Sequence, residues 1–294
     1  MTSLSVLNST IVRVFSRLAL RGAELVAPSW GARWAFDLWF TVPSALPATP
    51  LPPGGERFTV TSLGAPVVGH TWGSGPAVYL VHGWGGRGDQ LAAYVAPLVA
   101  AGRRVVMFDG PAHGDSPHGP AGPGRTHGVE LGRALDAVAA RFGPADAVIA
   151  HSLGTISTYL TLRHGWLATR RLVLLAPMVD SGPLFDAFQS GLGFGRRTRR
   201  AFDRLVGEFV GISVEEFDAR VQAAEVDAVP TLVVHDLSDR QTPYEQAQRL
   251  VRALPEARLL TTDALGHRRI LADPKVVREV LGFLGVGVAG REVA

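Results

Sequence analysis

The chain has no cysteine, one lysine (Lys275) and no run of about 18 apolar residues. Disulfides, thiol nucleophiles and cysteine-based metal sites are therefore excluded. Nothing in the composition calls for an oxidising compartment, and a cytoplasmic location is expected. At the N-terminus Arg13, Arg17 and Arg21 break the apolar residues every four positions. No signal-peptide core is formed there, and no membrane-spanning helix is expected. Three or four His or carboxylate residues at ligand spacing are also missing, so no metal is expected. There is no phosphate-binding Gly-rich loop ending in Lys-Ser or Lys-Thr. The expectation is an activity without cofactors.

What is present describes a globular protein. Of the 294 residues, 47% are hydrophobic and 19% charged. A chain this long buries about three quarters of the surface its unfolded form exposes. The net charge is only +3, and the basicity is carried almost entirely by arginine, which reads first as a compositional bias. The densest basic cluster is Arg196-Arg197-Thr198-Arg199-Arg200. It reads as a solvated helix face; the alternative is a patch for an anionic partner. No nucleic-acid motif accompanies it, and no nucleic-acid partner is expected.

Along the chain, residues 1–43 read as a helical arm. Trp30, Trp34 and Leu38 recur there at helical spacing, with Phe36, Trp39 and Phe40 nearby. The arm packs on the main body; the alternative is contact with a membrane surface or a second subunit. Residues 44–56 form a Pro/Gly-rich linker with Pro47, Pro50, Pro52 and Pro53. The main domain is expected over residues 57–290. Strands are predicted near Phe58–Ser62, Val67–Trp72, Ala77–His82, Arg104–Asp109, Ala147–His151, Arg171–Ala176, Thr231–His235 and Arg258–Thr261. The first two suggest an antiparallel pair. The others are unbroken apolar runs, as in a parallel sheet covered by helices on both faces. Helices are predicted near Gln90–Ala101, Val129–Phe142, Gly154–His164, Pro243–Ala253 and Lys275–Leu284. From about 178 to 224 the alternation stops, and only helix-like segments are seen. That stretch reads as a cap inserted at the C-terminal edge of the sheet, or as a long crossover.

The chemistry-bearing feature is Ala150-His151-Ser152-Leu153-Gly154, set between a strand and a helix. A strand entering a helix through small-x-Ser-x-Gly makes a turn so sharp that the serine hydroxyl stands clear of the sheet. The positions two before and two after the serine must be small, and here they are Ala150 and Gly154. A serine needs a base, an acid to orient the base and donors for the oxyanion. His267 alone among nine histidines occupies the loop after the final strand, and it is the candidate base. Asp239 is the preferred acid, lying farther into the loop after its strand than Asp236; Asp236 and Asp263 are the other candidates, with Asp236 expected to stabilise a turn. The oxyanion donors are expected to be the N–H groups of Leu153 and of Trp84 in His82-Gly83-Trp84-Gly85-Gly86. His82 and His151 read as packing histidines. Gly83 and His151 border the site and, with Phe185 and Phe188 of the insertion, are candidate substrate-binding residues. Phe185 and Phe188, with Leu184, Leu192 and Phe194, suggest a hydrophobic acyl or alcohol group; the alternative is that they form the cap's own core.

With these pieces in order, the chain resembles the serine hydrolases of the α/β-hydrolase fold. The likeness runs over about residues 57–285, through His82-Gly83-Trp84-Gly85, Asp109-Gly110-Pro111-Ala112-His113-Gly114-Asp115-Ser116, the Ser152 turn, Asp239 and Gly266-His267. The Trp84 loop is similar to that of the pimeloyl-carrier-protein methyl ester esterases and related small carboxylesterases. The resemblance implies a mostly parallel eight-stranded sheet flanked by helices, with a helical cap insertion and here an N-terminal helical arm. It also implies that Asp109, His113 and Ser116 shape the loop beside the site. The expected activity is hydrolysis of a carboxylic ester through an acyl-enzyme, on a small-molecule substrate with a hydrophobic group. Lactone, thioester, amide or C–C bond hydrolysis and perhydrolysis remain alternatives on the same residues, as does a non-catalytic ligand-binding role. The oligomeric state stays open.

Overall fold

A computed structural model of the protein describes residues 20–22, 24–43 and 47–286. It divides into two compact units. Of the described residues, one combines those up to Thr41 with Asp180–Phe217; the other combines those from Val42 to Val179 with those from Asp218 to residue 286.

The larger unit carries the sheet. All eight predicted strands form: β1 (Glu56–Ser62), β2 (Ala65–Trp72), β3 (Ala77–Val81), β4 (Arg104–Phe108), β5 (Ala145–His151), β6 (Leu172–Leu175), β7 (Thr231–Asp236) and β8 (Ala257–Thr262). Their spatial order is β1-β2-β4-β3-β5-β6-β7-β8. β2 is antiparallel to both β1 and β4, and every later pairing is parallel.

The unbroken apolar runs follow from the two covered faces. Val78 and Leu80, Val105 and Met107, Ala147 and Ile149, Val173 and Leu175, and Leu232 and Val234 share one core with Leu91, Tyr94, Leu98, Val276, Val280 and Leu281. These last come from the Gly88–Ala100 and Pro274–Phe283 helical segments. The alternate residues Tyr79, Val81, Val106, Phe108, Val148 and Ala150 are just as buried but point to the opposite face, because side chains on a strand alternate. The Gly128–Phe142 and Leu153–Arg163 helices pack together in this larger unit. Gly132 brings them close, since a Cβ there would lie 3.2 Å from the Ser157 carbonyl. The linker, described from residue 47, is pinned to the unit. Thr49 N–H donates to Asp89 (3.0 Å), and Trp72 Nε1–H donates to the Pro52 carbonyl (3.1 Å).

The chain proceeds from β3 to β4 on one side and then returns to place β5 on the other. Such a reversal opens a crevice beyond the C-terminal ends of the strands, where ligands of open α/β sheets bind. The insertion leaves after Val179 and the chain resumes at Asp218, with Ala219 N–H donating to the Val179 carbonyl (2.7 Å).

Among the described residues, the smaller unit includes the helices Pro28–Phe40, Gly182–Leu192 and Arg196–Val210. Gly31, Ala32, Ala35, Phe36 and Phe40 form the buried face of the first. Phe36 and Phe40 meet Phe209 at ring distances of 5.0 and 4.8 Å. Glu24, before this helix, accepts from the N–H groups of Arg197 and Thr198 at the start of the third (2.9 and 3.1 Å). No helix among the described residues is long and apolar enough to cross a membrane. Arg13 and Arg17, the first part of the arm, linker residues 44–46 and residues beyond 286 lie outside the described residues.

Candidate active site

The parallel register aligns the strand ends that carry the predicted site. Val81 pairs with Ala150, His151 with Leu175, and Leu175 with Val234. His82 and Ser152 therefore leave neighbouring strands at the same edge.

Ser152 has φ 52° and ψ −118°, a positive φ in a residue with a side chain. The surrounding structure holds that strain. Its N–H donates to the Leu175 carbonyl (3.1 Å), and its own carbonyl accepts from Thr155 and Met178 (3.0 and 3.1 Å). The size limits on the turn have identifiable causes. A Cβ on Gly154 would lie 2.8 Å from the His82 carbonyl and 2.9 Å from that of Val81. Ala150, larger by a methyl than the commoner glycine, is fully buried between Val81 and Leu174 and is accommodated. Across the crevice a Cβ on Gly83 would come within 2.8 Å of Ser152 Cβ.

The Gly-rich loop after β3 is held by two neutral histidines. Gly110 N–H donates to His82 Nε2 (2.8 Å), so the proton is on Nδ1, which donates to the Gly83 carbonyl (2.7 Å). Gly85 N–H donates to His113 Nε2 (2.9 Å), and His113 Nδ1–H donates to the Pro111 carbonyl (3.0 Å). Burial pushes the pKa of His82 down to about 4 and that of His113 to about 3. Gly86 N–H donates to the Gly83 carbonyl (3.1 Å). Gly85 and Gly86 are thus committed. Trp84 N–H, like Leu153 N–H at the first position of its helix, has no acceptor among the described residues.

Asp109 and Ser116 build the neighbouring loop as expected. The Asp109 carboxylate accepts from the N–H groups of Gly88 and Asp115 (both 2.8 Å). Ser116 Oγ–H donates to the Asp109 carbonyl (2.6 Å) and accepts from Val68 N–H (2.9 Å). A side chain on Gly114 would overlap the Asp109 carboxylate.

His267 and Asp239 meet. His267 Nδ1–H donates to Asp239 Oδ2 at 2.7 Å, which leaves Nε2 as the ring's remaining nitrogen. Asp239 Oδ1 accepts from the N–H groups of Gln241 (2.8 Å) and Thr242 (3.1 Å), and Oδ2 also accepts from the Thr242 hydroxyl (3.0 Å). Burial alone would raise the pKa of Asp239. The hydrogen bond and charge of His267 and the two backbone donors outweigh it and hold the pKa down to about 2. Asp236 has a different use. It accepts from Ser238 N–H (2.9 Å), the Thr262 hydroxyl (2.7 Å) and Leu265 N–H (3.0 Å), and so ties β7 to the loop that carries His267. Asp263 is exposed and accepts from the Ser238 hydroxyl (3.0 Å).

His151, the residue before Ser152, reaches the segment that carries His267. His151 Nε2–H donates to the His267 carbonyl (3.0 Å), and the two rings lie 4.7 Å apart. Burial, then the neighbouring His267, pushes the His151 pKa down to about 3. The Ser152 hydroxyl itself has no hydrogen-bond partner among the described residues; such contacts are often long before substrate binds.

Phe185 and Phe188 belong to the smaller unit. Trp39 meets their rings at 4.7 and 4.9 Å, and Phe185 also packs edge-on against Phe202 at 5.3 Å. Sequence reasoning did not single out Thr242 or His235. The signal for Thr242 was its place three residues after Asp239, where a side chain folds back on an aspartate in a turn.

The sequence profile of the alpha/beta hydrolase family matches residues 78–280. A relative from Pseudomonas savastanoi pv. phaseolicola named for carbamate hydrolysis, RutD, is 34% identical over 73 residues, 24% of this chain and 28% of that protein's length. Among solved structures, a hydrolase from Pseudomonas aeruginosa superposes with a TM-score of 0.61 at 22% identity, over 79% of this chain and 99% of that one. A thermophilic esterase from Thermogutta terrifontis gives a TM-score of 0.57 at 18% identity, over 78% and 98%. At these identities the two structures speak for a shared fold.

Proposed function

The chain belongs to the alpha/beta hydrolase family, and from that premise we propose that it is a serine hydrolase of carboxylic esters or related acyl bonds. The observation that carries this reading is the 2.7 Å bond from His267 Nδ1 to Asp239, formed at the sheet edge where Ser152 is held at positive φ.

His267 Nε2 takes the proton of the Ser152 hydroxyl as Oγ attacks the substrate carbonyl carbon. Asp239 stays ionised, fixes the imidazole with Nδ1 protonated and stabilises the imidazolium. The N–H groups of Leu153 and Trp84 receive the oxyanion, aided by the partial positive charge at the start of the Leu153–Arg163 helix. The tetrahedral species collapses as His267 gives its proton to the leaving oxygen. The acyl group remains on Oγ, and water removes it by the same steps with His267 again as base.

The test is covalent labelling with a fluorophosphonate, together with turnover of p-nitrophenyl esters of increasing chain length. The wild type is expected to label at Ser152, and Ser152→Ala to lose the label. Ser152→Ala, His267→Ala and Asp239→Asn are expected to lower turnover by roughly three or more orders of magnitude with the melting transition retained. A wild type that neither labels nor turns over any ester overturns the reading. A larger loss in Asp236→Asn than in Asp239→Asn overturns the choice of acid.

A further inference from the structure

The loop after β7 holds a hydroxyl that the chemistry above does not use. Thr242 Oγ lies 3.0 Å from Asp239 Oδ2, the oxygen that also receives His267 Nδ1–H, and 3.3 Å from that nitrogen. The residue is 3% exposed and held at both ends. Its N–H donates to Asp239 Oδ1 (3.1 Å), and its carbonyl accepts from His235 Nε2–H (2.9 Å). His235 itself is wholly buried at the end of β7, with its Nε2 3.5 Å from Asp239 Oδ2.

We infer that Thr242 is a positioning residue that fixes the Asp239 carboxylate and moderates its pull on His267. The inference rests on the reading of those two residues as acid and base. Its physical content is a shared acceptor. A carboxylate oxygen with two donors offers less charge to each than one with a single donor. The Thr242 hydroxyl therefore weakens the hold of Oδ2 on a protonated His267 while keeping Oδ2 aimed at Nδ1. His235 acts one step behind, since its bond to the Thr242 carbonyl orients the turn from which the hydroxyl reaches back. The alternative acceptor for that hydroxyl, the Ala176 carbonyl, is 3.5 Å away, at the limit of a hydrogen bond. Besides Asp239, the titratable groups around His267 are His151 at the end of β5, His235 and Asp236 at the end of β7, and Asp263, Arg268 and Arg269 on its own loop and helix.

The experiment follows the rate of fluorophosphonate labelling of Ser152 from pH 4.5 to 9, which needs no knowledge of the natural substrate. In Thr242→Val the low-pH limb, where the base is lost to protonation, is expected to move up by roughly half a pH unit. The plateau rate is expected to fall by about threefold to tenfold as the carboxylate loses its second anchor. Thr242→Ser keeps the hydroxyl and is expected to restore both. Thr242→Ala provides the same comparison without the bulk of valine if the first variant folds poorly. A limb in Thr242→Val and Thr242→Ala that overlies the wild type, or moves down, overturns the inference while the label on Ser152 leaves the parent reading standing. A wild type that takes no label overturns both.

Discussion

Gly83 shows how much of this site is set by a single missing methyl group. An added Cβ would sit 2.8 Å from Ser152 Cβ and 3.0 Å from the His151 carbonyl, and neither is the far end of a flexible side chain. Gly83→Ala is expected to push the Trp84 loop and the Ser152 turn apart. A displacement near 1 Å at such a site lowers rates by about 100-fold. The labelling rate of the purified variant measures this, and a rate within twofold of the wild type would contradict the packing argument. At this scale the placement of the candidate residues was legible, while their roles belong to the proposal. Ser152 announced itself through the small residues its turn requires, and His267 through its place after the last strand. Asp239 was separable from Asp236 because only one of the two stands far enough into the loop to reach an imidazole. Thr242 and His235 were not legible, because a threonine hydroxyl and a buried histidine take their meaning from partners that the fold supplies. Phe185 and Phe188 show the same limit. Their apolar character was plain, but their contacts with Trp39 join two distant stretches of chain.

Elements were legible where periodicity was local. Buried parallel strands need apolar residues on both faces, and β3 to β7 stood out as short apolar runs, whereas β1, antiparallel and half exposed, showed through its pairing with β2. The predicted Gln90–Ala101 helix is in fact a 3-10 segment, Gly88–Tyr94, continuing into an α-helix at Val95–Ala100. Apolar spacing does not distinguish the two forms over a single turn. The start of the Arg196–Val210 helix was hidden for another reason. Its N-cap, Gly195, has no side chain, and the acceptor for its first N–H groups is Glu24, 173 residues before Arg197 in the chain. Gly195 leaves room for that carboxylate, since a Cβ there would lie 2.5 Å from the Glu24 carboxyl carbon and the Glu24 side chain would have to shift. Glu24→Ala is expected to weaken this helix start by about 1 kcal/mol, the usual worth of an N-cap acceptor. Hydrogen exchange at the amides of Arg197 and Thr198 checks it: protection should fall there and remain unchanged in the Leu153–Arg163 helix. Unaltered protection at those two amides would mean that Glu24 is not a working cap.

For the whole molecule, the stability of the fold should depend on histidines that stay neutral. His82, His113 and His151 are buried, and burial sets their folded pKa values at about 4, 3 and 3, below the ordinary 6.5. Between pH 6.5 and about 4 the unfolded chain binds protons that the folded chain refuses, so stability falls as pH falls. Asp239 works in a lower window. Its folded pKa of about 2 lies below the ordinary 3.8, so its contribution is intact above pH 3.8 and is lost only toward pH 2. Urea midpoints should therefore drop steadily from pH 7.5 to 5.0, and a flat profile over that range would show that the three imidazoles titrate alike in both states. At this scale the interruption near residues 178–224 was visible as a break in the strand–helix alternation. Its union with the N-terminal helix was not, because no local pattern links segments so far apart.

That union has a consequence for biosynthesis. The Pro28–Phe40 helix leaves the ribosome about 140 residues before its partners Gly182–Leu192 and Arg196–Val210. At translation speeds of roughly 5–20 residues per second, the delay is on the order of ten seconds. Throughout it the nascent chain carries Phe36, Trp39 and Phe40 with nowhere to hide them, so newly made protein should depend on chaperones at a stage the finished molecule never revisits.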